Sequence, residues 1–369
     1  MTLIYIAAGE ASGDILGARL IAALRARDNT LEFAGLGGER MAEQGFSSLF
    51  NIHELALMGV MEVLPSLRRL SRRMDETVAD IAARRPRLLV TIDSPGFTLR
   101  LAKRVKALGI PIVHYVAPQV WAWRPGRVKH IAQVVDRILA LLPFEAPIFE
   151  AAGIPVDFVG HPILESEAAH GDASRFPHAG RSLIVMPGSR RGEVKRLLPI
   201  FAGTVRRLPA DVLPVIGLAG TVEEVVRRQE AVWGRPIATV REPGEKADAF
   251  AAARAGLIKS GTSSLEAAVA GLPHVVGYKF NAVSNAIIRR LFRIKYASLV
   301  NLLVDEEIVP EFMLEYCEPV RLSAALLPLI EDDEAVARQR AGFARALARL
   351  HPEKGLPSEA AAEAVLRML

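Results

Sequence analysis

Residues 182–199 read SLIVMPGSRRGEVKRLLP, and their reading sets the class of the fold. Ser182–Met186 is a short apolar run of the kind that forms a fully buried strand. Pro187, Gly188 and Ser189 break that run, and Glu193 to Leu198 reads as the opening of a helix. A strand that ends in a glycine-containing turn and feeds a helix leaves backbone N–H groups unpaired at the helix start. Those groups and the helix dipole favour an anion above the sheet edge. Arg190 and Arg191 add guanidinium forks that match phosphate oxygens. The reading is a diphosphate pocket, although an ordinary strand-to-helix turn with solvated arginines carries the same local signature.

Residues 256–273, GLIKSGTSSLEAAVAGLP, repeat the order: a buried strand, a Ser260-Gly261-Thr262 turn, and a helix from about Ser263. Two phosphate-type turns on successive units of one α/β half argue against coincidence. Glu266, one turn into that helix, faces the same crevice, where a carboxylate accepts both hydroxyls of a ribose. A sugar nucleotide uses all of these parts together.

Working outward, 369 residues predict two domains rather than one. Hydrophobic residues make up 51% and aromatics only 6%, the balance of an α/β protein with buried parallel strands. In the first half, strands are expected at Leu3–Ala8, Glu32–Gly37, Leu88–Asp93, Ile112–Val116, Arg137–Leu142 and Val156–Val159. Helices are expected at Asp14–Arg27 and Leu99–Leu108. The polar stretch 164–181 reads as a linker, after which 182–186, 212–218, 236–240, 255–259 and 274–278 restart the alternation. The expected architecture is α/β, two Rossmann-like doubly wound domains facing across a cleft, at 1–165 and 180–340. Helices at about 340–369 are assigned to the first. Ligands of such sheets sit beyond the C-terminal ends of strands.

Lys+Arg 46 against Asp+Glu 41 leaves a net charge of +5, too small to imply nucleic acid. The single cysteine, Cys317, excludes a disulfide framework and any cysteine-based zinc site, which fits a reducing compartment. The N-terminal MTLIYIAAGE reads as a first strand rather than a signal peptide, and charge or proline interrupts every long apolar run. A cytoplasmic protein is expected. No Asp-x-Asp at a strand end, HExxH or His/Cys cluster points to a metal.

Gly9-Glu10-Ala11-Ser12-Gly13-Asp14 follows the first strand and opens the first helix. The GxGxxG spacing of a dinucleotide loop is missing, and an acidic pair repels a pyrophosphate. The loop, through Glu10, Ser12 and Gly13, suits a hydroxyl-rich ligand; capping of the helix by Ser12 or Asp14 is the alternative. Asp93 ends a strongly apolar strand, where a partly desolvated carboxylate is placed for general-base use. A strand-end Asp that merely caps the next turn reads the same way. The loop 117–124 holds Gln119, Trp121 and Trp123, two of the chain's 3 tryptophans. Sugars and acyl chains pack on indole faces, and a buried plug would use them too. Leu55–Met74 sets an apolar cluster that includes Met58 and Met61 beside Arg68, Arg69, Arg72 and Arg73, and Ile287–Lys295 is a second such segment. Both suit an anionic membrane interface, or a core helix with a solvated basic face.

In this order, these motifs resemble the lipid-A-disaccharide synthase family, glycosyltransferases of the GT-B type. The matching pieces are GEASGD (9–14), LALMGVMEVL (55–64), IDSPGF (92–97), HYVAPQVWAWR (114–124), LPFE (142–145), GHP (160–162), MPGSRRGEV (186–194), SGTSSLE (260–266), VVGYK (275–279), SLVNLL (298–303) and VPEF (309–312). The resemblance implies transfer of 2,3-diacylglucosamine from its UDP conjugate to the 6-hydroxyl of 2,3-diacylglucosamine 1-phosphate. It implies no metal or other cofactor, and work at the inner face of the cytoplasmic membrane. Carried over by position, the family's essential aspartate is Asp93, its diphosphate arginine Arg190, its asparagine Asn301 and its loop acid Glu10. Tyr278 and Glu311, in two matching pieces, join Gly188, Ser189, Ser260, Gly261, Thr262 and Glu266 on the UDP-sugar side. The chain departs from the pattern at Gly96, where the family carries an acidic or amide residue, and at Val300 and Leu314. The implied chemistry is inversion by in-line attack, with Asp93 as base and the arginine and turns receiving the diphosphate charge. Rival readings are another UDP-sugar enzyme on this scaffold (a 2-epimerase or a soluble-acceptor transferase) and a peripheral membrane protein that only binds nucleotide. A homodimer is left open.

Overall fold

The computed structural model describes residues 2–55, 63–120, 125–178, 180–218, 222–227, 230–279 and 295–369. The chain divides into two compact units, Met1–Pro162 with Leu350–Leu369, and Ile163–Arg349.

The first unit holds β1 (Leu3–Ala8), β2 (Glu32–Leu36), β3 (Leu88–Ile92), β4 (Ile112–Tyr115), β5 (Arg137–Ala140) and β6 (Val156–Phe158). They form one parallel sheet in the order β2-β1-β3-β4-β5-β6. Central strands covered on both faces must be apolar at every position, not at alternate ones. Ile4 to Ala8 and Leu88 to Ile92 obey this, apart from Thr91, all with no exposure. Helix Ala11–Arg27 packs with helix Pro357–Leu366, and Arg27 pairs with Glu363 at 3.3 Å. Helix Val63–Arg84 packs with helix Pro95–Val105. The chain leaves β1 towards β2 and returns on its other side as β3, which puts the topological switch point between the exits of β1 and β3.

The second unit repeats the plan with β7 (Ser182–Met186), β8 (Leu213–Gly217), β9 (Ala238–Val240), β10 (Ala255–Lys259), β11 (His274–Tyr278) and β12 (Glu311–Met313). The order is β12-β11-β10-β7-β8-β9, again parallel, with the switch between β7 and β10. On one face Leu183, Val185 and Leu257 pack with Val194, Leu197 and Phe201 of helix Arg191–Val205 and Leu322 and Leu326 of helix Pro319–Glu331. The other face packs Ile184, Val215 and Ile258 with Phe250 and Phe176.

Two features differ from the sequence expectation. The stretch 164–181 is not a free linker: it forms short 3-10 turns, buries Phe176, and the Asp172 N–H donates to Asp248 Oδ1 at 2.7 Å. Polar composition hid this because a few anchors suffice to hold it. The edge strand β12 was not expected, since its three residues are only half-buried and show no apolar run.

Candidate active site

At the first switch point the exits of β1 and β3 touch. A Cβ added at Gly9 would stand 2.4 Å from Ser94 Cβ. The Asp93 N–H donates to Tyr115 O at 2.9 Å, which extends the ladder one residue past β3. Asp93 and Ser94 then take φ of +49 and +45, left-handed values that cost a non-glycine residue about 1–2 kcal/mol each. The turn is held by Thr98, whose hydroxyl donates to Asp93 O at 2.6 Å. The Ser94 N–H donates to Asp93 Oδ1 at 2.7 Å, which fixes the plane of the carboxylate. Oδ2 faces the Ser12 hydroxyl at 3.4 Å on the exposed side. One oxygen is anchored and the other faces outward, the arrangement a positioned base requires.

Glu10 is exposed at the N-cap of helix Ala11–Arg27, and its side chain does not cap that helix. Gly13 is buried against Ile92, with room at an added Cβ limited to 3.3 Å from Ile92 O. Asp14, weighed as a cap for its own helix, instead accepts the N–H groups of Gly38 (2.7 Å), Arg40 (2.9 Å) and Met41 (3.1 Å). It holds the next helix, Glu39–Glu43, and is buried in doing so. Gln119 is exposed beyond β4, three residues after the bend at Val116, whose φ is +78. Beneath that exit His114 is fully buried, its Nδ1 2.8 Å from the Thr91 hydroxyl and its Nε2 without a partner. Burial pushes its pKa down to about 4. Met58, Met61, Trp121 and Trp123 lie outside the described residues, as does the segment 287–294. Of the basic residues beside the first apolar cluster, Arg68, Arg69 and Arg72 are exposed. Arg73 is tied to Glu54 at 2.7 Å and Glu76 at 2.6 Å and lies over the Phe50 ring.

At the second switch point the two turns flank the boundary between β7 and β10. Gly188 takes φ +106 and Gly261 φ +148, conformations that exclude side chains and leave bare backbone at each turn. Arg190 is the N-cap of helix Arg191–Val205, and Gly261 that of helix Thr262–Val269. The Arg190 side chain is 83% exposed, 3.7 Å from the buried Glu193 carboxylate. Tyr278 donates its hydroxyl to Glu193 Oε1 at 3.0 Å. Burial, and then the charge of Glu193, push the Tyr278 pKa up to about 12. Glu266 pairs with Lys246 at 3.0 Å, and both are about three-quarters buried.

The Ser260 hydroxyl donates to Ala297 O at 3.1 Å, which ties the second turn to the segment behind it. That segment is gripped by Glu311, whose carboxylate accepts the N–H groups of Ala297 (2.7 Å) and Ser298 (2.9 Å) and the Asn301 amide (2.7 Å). Burial raises the Glu311 pKa, and these same hydrogen bonds pull against the rise. Asn301 also donates to Val309 O and accepts the N–H groups of Ile308 and Val309. With both N–H donors and the carbonyl engaged inside the fold, the geometry gives Asn301 a positioning role rather than a ligand contact. Motif matching finds such a residue but does not tell these two roles apart.

Residue reading missed Glu193 and Lys259, which form a pair at 3.4 Å beneath the first turn. The available signal was a lysine one residue before the second turn and an acid four residues after the first. It also missed the buried chain in which Ser264 meets His274 Nε2 (2.8 Å) and Ser298 (3.2 Å), with Gln339 bonded to both backbone groups of His274. Among the described residues no group of three or more His, Cys, Asp or Glu is placed to hold a metal ion, and no helix is long and apolar enough to cross a membrane.

The same folding plan occurs in MurG of Acinetobacter baumannii, at a TM-score of 0.62 and 13% identity over 100% of both chains. It occurs again in a UDP-GlcNAc 2-epimerase of Methanocaldococcus jannaschii, at a TM-score of 0.63 and 13% identity over 100% of both chains. At such identity these likenesses show only the two-domain, Rossmann-like GT-B fold. Sequence separates the possibilities that fold leaves open. A lipid-A-disaccharide synthase of Granulibacter bethesdensis is 47% identical over 387 residues, covering 100% of this chain and 98% of the relative. The family model described as lipid-A-disaccharide synthetase matches residues 4–365, so both switch points fall inside it, and the chain belongs to that family.

Proposed function

We infer that this glycosyltransferase moves 2,3-diacylglucosamine from its UDP conjugate to the 6-hydroxyl of 2,3-diacylglucosamine 1-phosphate and releases UDP. The observation that carries the site assignment is the Asp93 carboxylate at the switch point of the first sheet, anchored through Oδ1 by the Ser94 N–H and turned at Oδ2 toward the exposed Ser12 hydroxyl. In the proposed reaction the acceptor oxygen attacks the anomeric carbon from the face opposite the leaving group. As that C–O bond forms, the bond to the diphosphate oxygen breaks and its electron pair leaves with UDP. The acceptor proton passes to Asp93 Oδ2 and then to solvent. Arg190, with the Gly188–Ser189 and Ser260–Thr262 turns, receives the charge that builds on the diphosphate. Glu266 meets the ribose, with Lys246 sharing its carboxylate. Tyr278 and Glu193 steady the first turn, and Glu311 and Asn301 steady the second. Glu10, Ser12, Gly13 and Gln119 belong to the acceptor side, together with Met58, Met61, Trp121 and Trp123 of the loops named above.

Exposed Arg68, Arg69 and Arg72 on helix Val63–Arg84 favour anionic headgroups, so we assign the protein to the inner face of the cytoplasmic membrane as a peripheral visitor. Purified protein incubated with both lipid substrates should yield the β-1′,6 disaccharide and one UDP for each. Release of UDP at the same rate without the acceptor lipid would assign it a hydrolytic or epimerase activity instead.

A further inference from the structure

We propose that Lys259 is a second cation of the diphosphate pocket, set between its two turns and held there by Glu193. This rests on reading the second switch point as that pocket. Lys259 ends β10, and its neighbour Ile258 is in register with Met186 at the end of β7, so the lysine leaves the sheet beside the first turn. A Cβ added at Gly188 would stand 3.3 Å from Lys259 Cδ, and one added at Gly261 would stand 3.6 Å from Lys259 Nζ. The stem therefore runs along one turn and the ammonium ends at the other.

The ammonium is poorly served at rest. Its side chain is 23% exposed and Nζ lies 3.4 Å from Glu193 Oε2, within ion-pair range. The pair lacks hydrogen-bond geometry, for Oε2 has no hydrogen-bond partner. Lys259 makes no hydrogen bond among the described residues, and its remaining neighbour is the Tyr278 ring, 5.3 Å away. Glu193 offsets the cost of enclosing the charge without occupying the three N–H donors. Glu193 itself is fixed through Oε1 by the Tyr278 hydroxyl. An anion arriving across both turns supplies the oxygen acceptors that are missing. Arg190 differs, since its guanidinium is mostly in solvent and must be recruited, whereas Lys259 is already placed.

The test is the affinity of the full chain for UDP, UMP and uridine, measured by calorimetry for the native protein, Lys259→Met and Lys259→Arg. Loss of one charge-assisted contact should weaken UDP about ten- to hundredfold in Lys259→Met, with uridine unchanged, and Lys259→Arg should recover most of the difference. A folded Lys259→Met protein with the native UDP-to-uridine ratio would make the Glu193 pair purely structural and overturn the proposal. A native protein that binds UDP no better than uridine would instead sink the pocket itself. Should Lys259→Met fail to fold, Lys259→Met with Glu193→Gln removes both charges, keeps an acceptor for Tyr278, and carries the same readout.

Discussion

The two sheets share one topology, yet their switch points turn the chain in different ways. At the first, positive φ falls on Asp93 and Ser94, residues with side chains. At the second it falls on Gly188 and Gly261. On the proposed assignment of a base at the first exit and a diphosphate at the second, the difference follows from what each exit would present. A proton acceptor must be a side chain, so the first exit tolerates a left-handed aspartate and stabilises it with Thr98 and the Ser94 N–H. A diphosphate would be met by bare N–H groups, and the glycines of the second exit leave out the Cβ atoms that would obstruct it. Strain marks the place where a particular atom is needed, and glycine marks the place where close approach is needed.

Asp93→Asn cuts deepest into that contrast. The amide keeps an acceptor for the Ser94 N–H but gives up the basic oxygen, so turnover should fall by about 10³-fold while the thermal midpoint stays in place. Near-native rates from the folded variant would remove Asp93 as the base. A buried histidine in each unit gives the next effect. His114 and His274 have pKa values pushed down to about 4 by burial, against an ordinary 6.5. Between those values the unfolded chain binds more protons than the folded one. Stability is therefore intact above about pH 6.5 and is lost as pH falls, by about 3 kcal/mol per histidine at pH 4. Denaturant midpoints between pH 7 and 4 should show a shallower fall for His114→Gln and for His274→Gln. At pH 7 the His274 change should cost more, because its two ring nitrogens are bonded to Ser264 and Leu272 while His114 Nε2 bonds nothing.

Gly188→Ala is weaker again. The new Cβ must accept φ +106 and lie 3.0 Å from Glu193 Oε2, a cost of about 2 kcal/mol. It should appear as a lower melting temperature and a raised KM for the UDP-sugar. The smallest effect is the reverse exchange at the first exit. Ser94→Gly relieves φ +45 but frees the unfolded chain, and the two should cancel to within about 1 kcal/mol of unfolding free energy. A large loss in this variant would mean that the Ser94 side chain contributes more than its backbone.

The strands were legible because buried parallel strands announce themselves as apolar runs, and eleven of the twelve described strands fall within expected ranges. The turns were legible because Gly188 and Gly261 break those runs. β12 was not, since an edge strand of three half-buried residues carries no periodic signal. Nor was the partnership of residues far apart in sequence. Asp14 reads as a local cap but is spent on Gly38, Arg40 and Met41, and Asn301 reads as a ligand contact but is spent on Ile308, Val309 and Glu311. A sequence shows which groups are polar and leaves open which of them the fold has already satisfied. Lys259 escaped notice for the opposite reason, since a lysine at a strand end is ordinary until its surroundings are known.

The crossing between the units has a consequence for synthesis. The His161 N–H donates to Leu350 O at 2.9 Å, so the chain departs from the first unit and rejoins it at neighbouring points, with residues 163–349 as a guest between them. Ribosomes usually let the leading domain fold before the trailing one emerges. Here the leading unit cannot close first: the guest needs nothing beyond residue 349, while its host needs the last helix, Pro357–Leu366, which packs on Ala11–Arg27. A stop codon near residue 350 would therefore spare the second unit and leave the first with a bare apolar face, a substrate for chaperones and proteases.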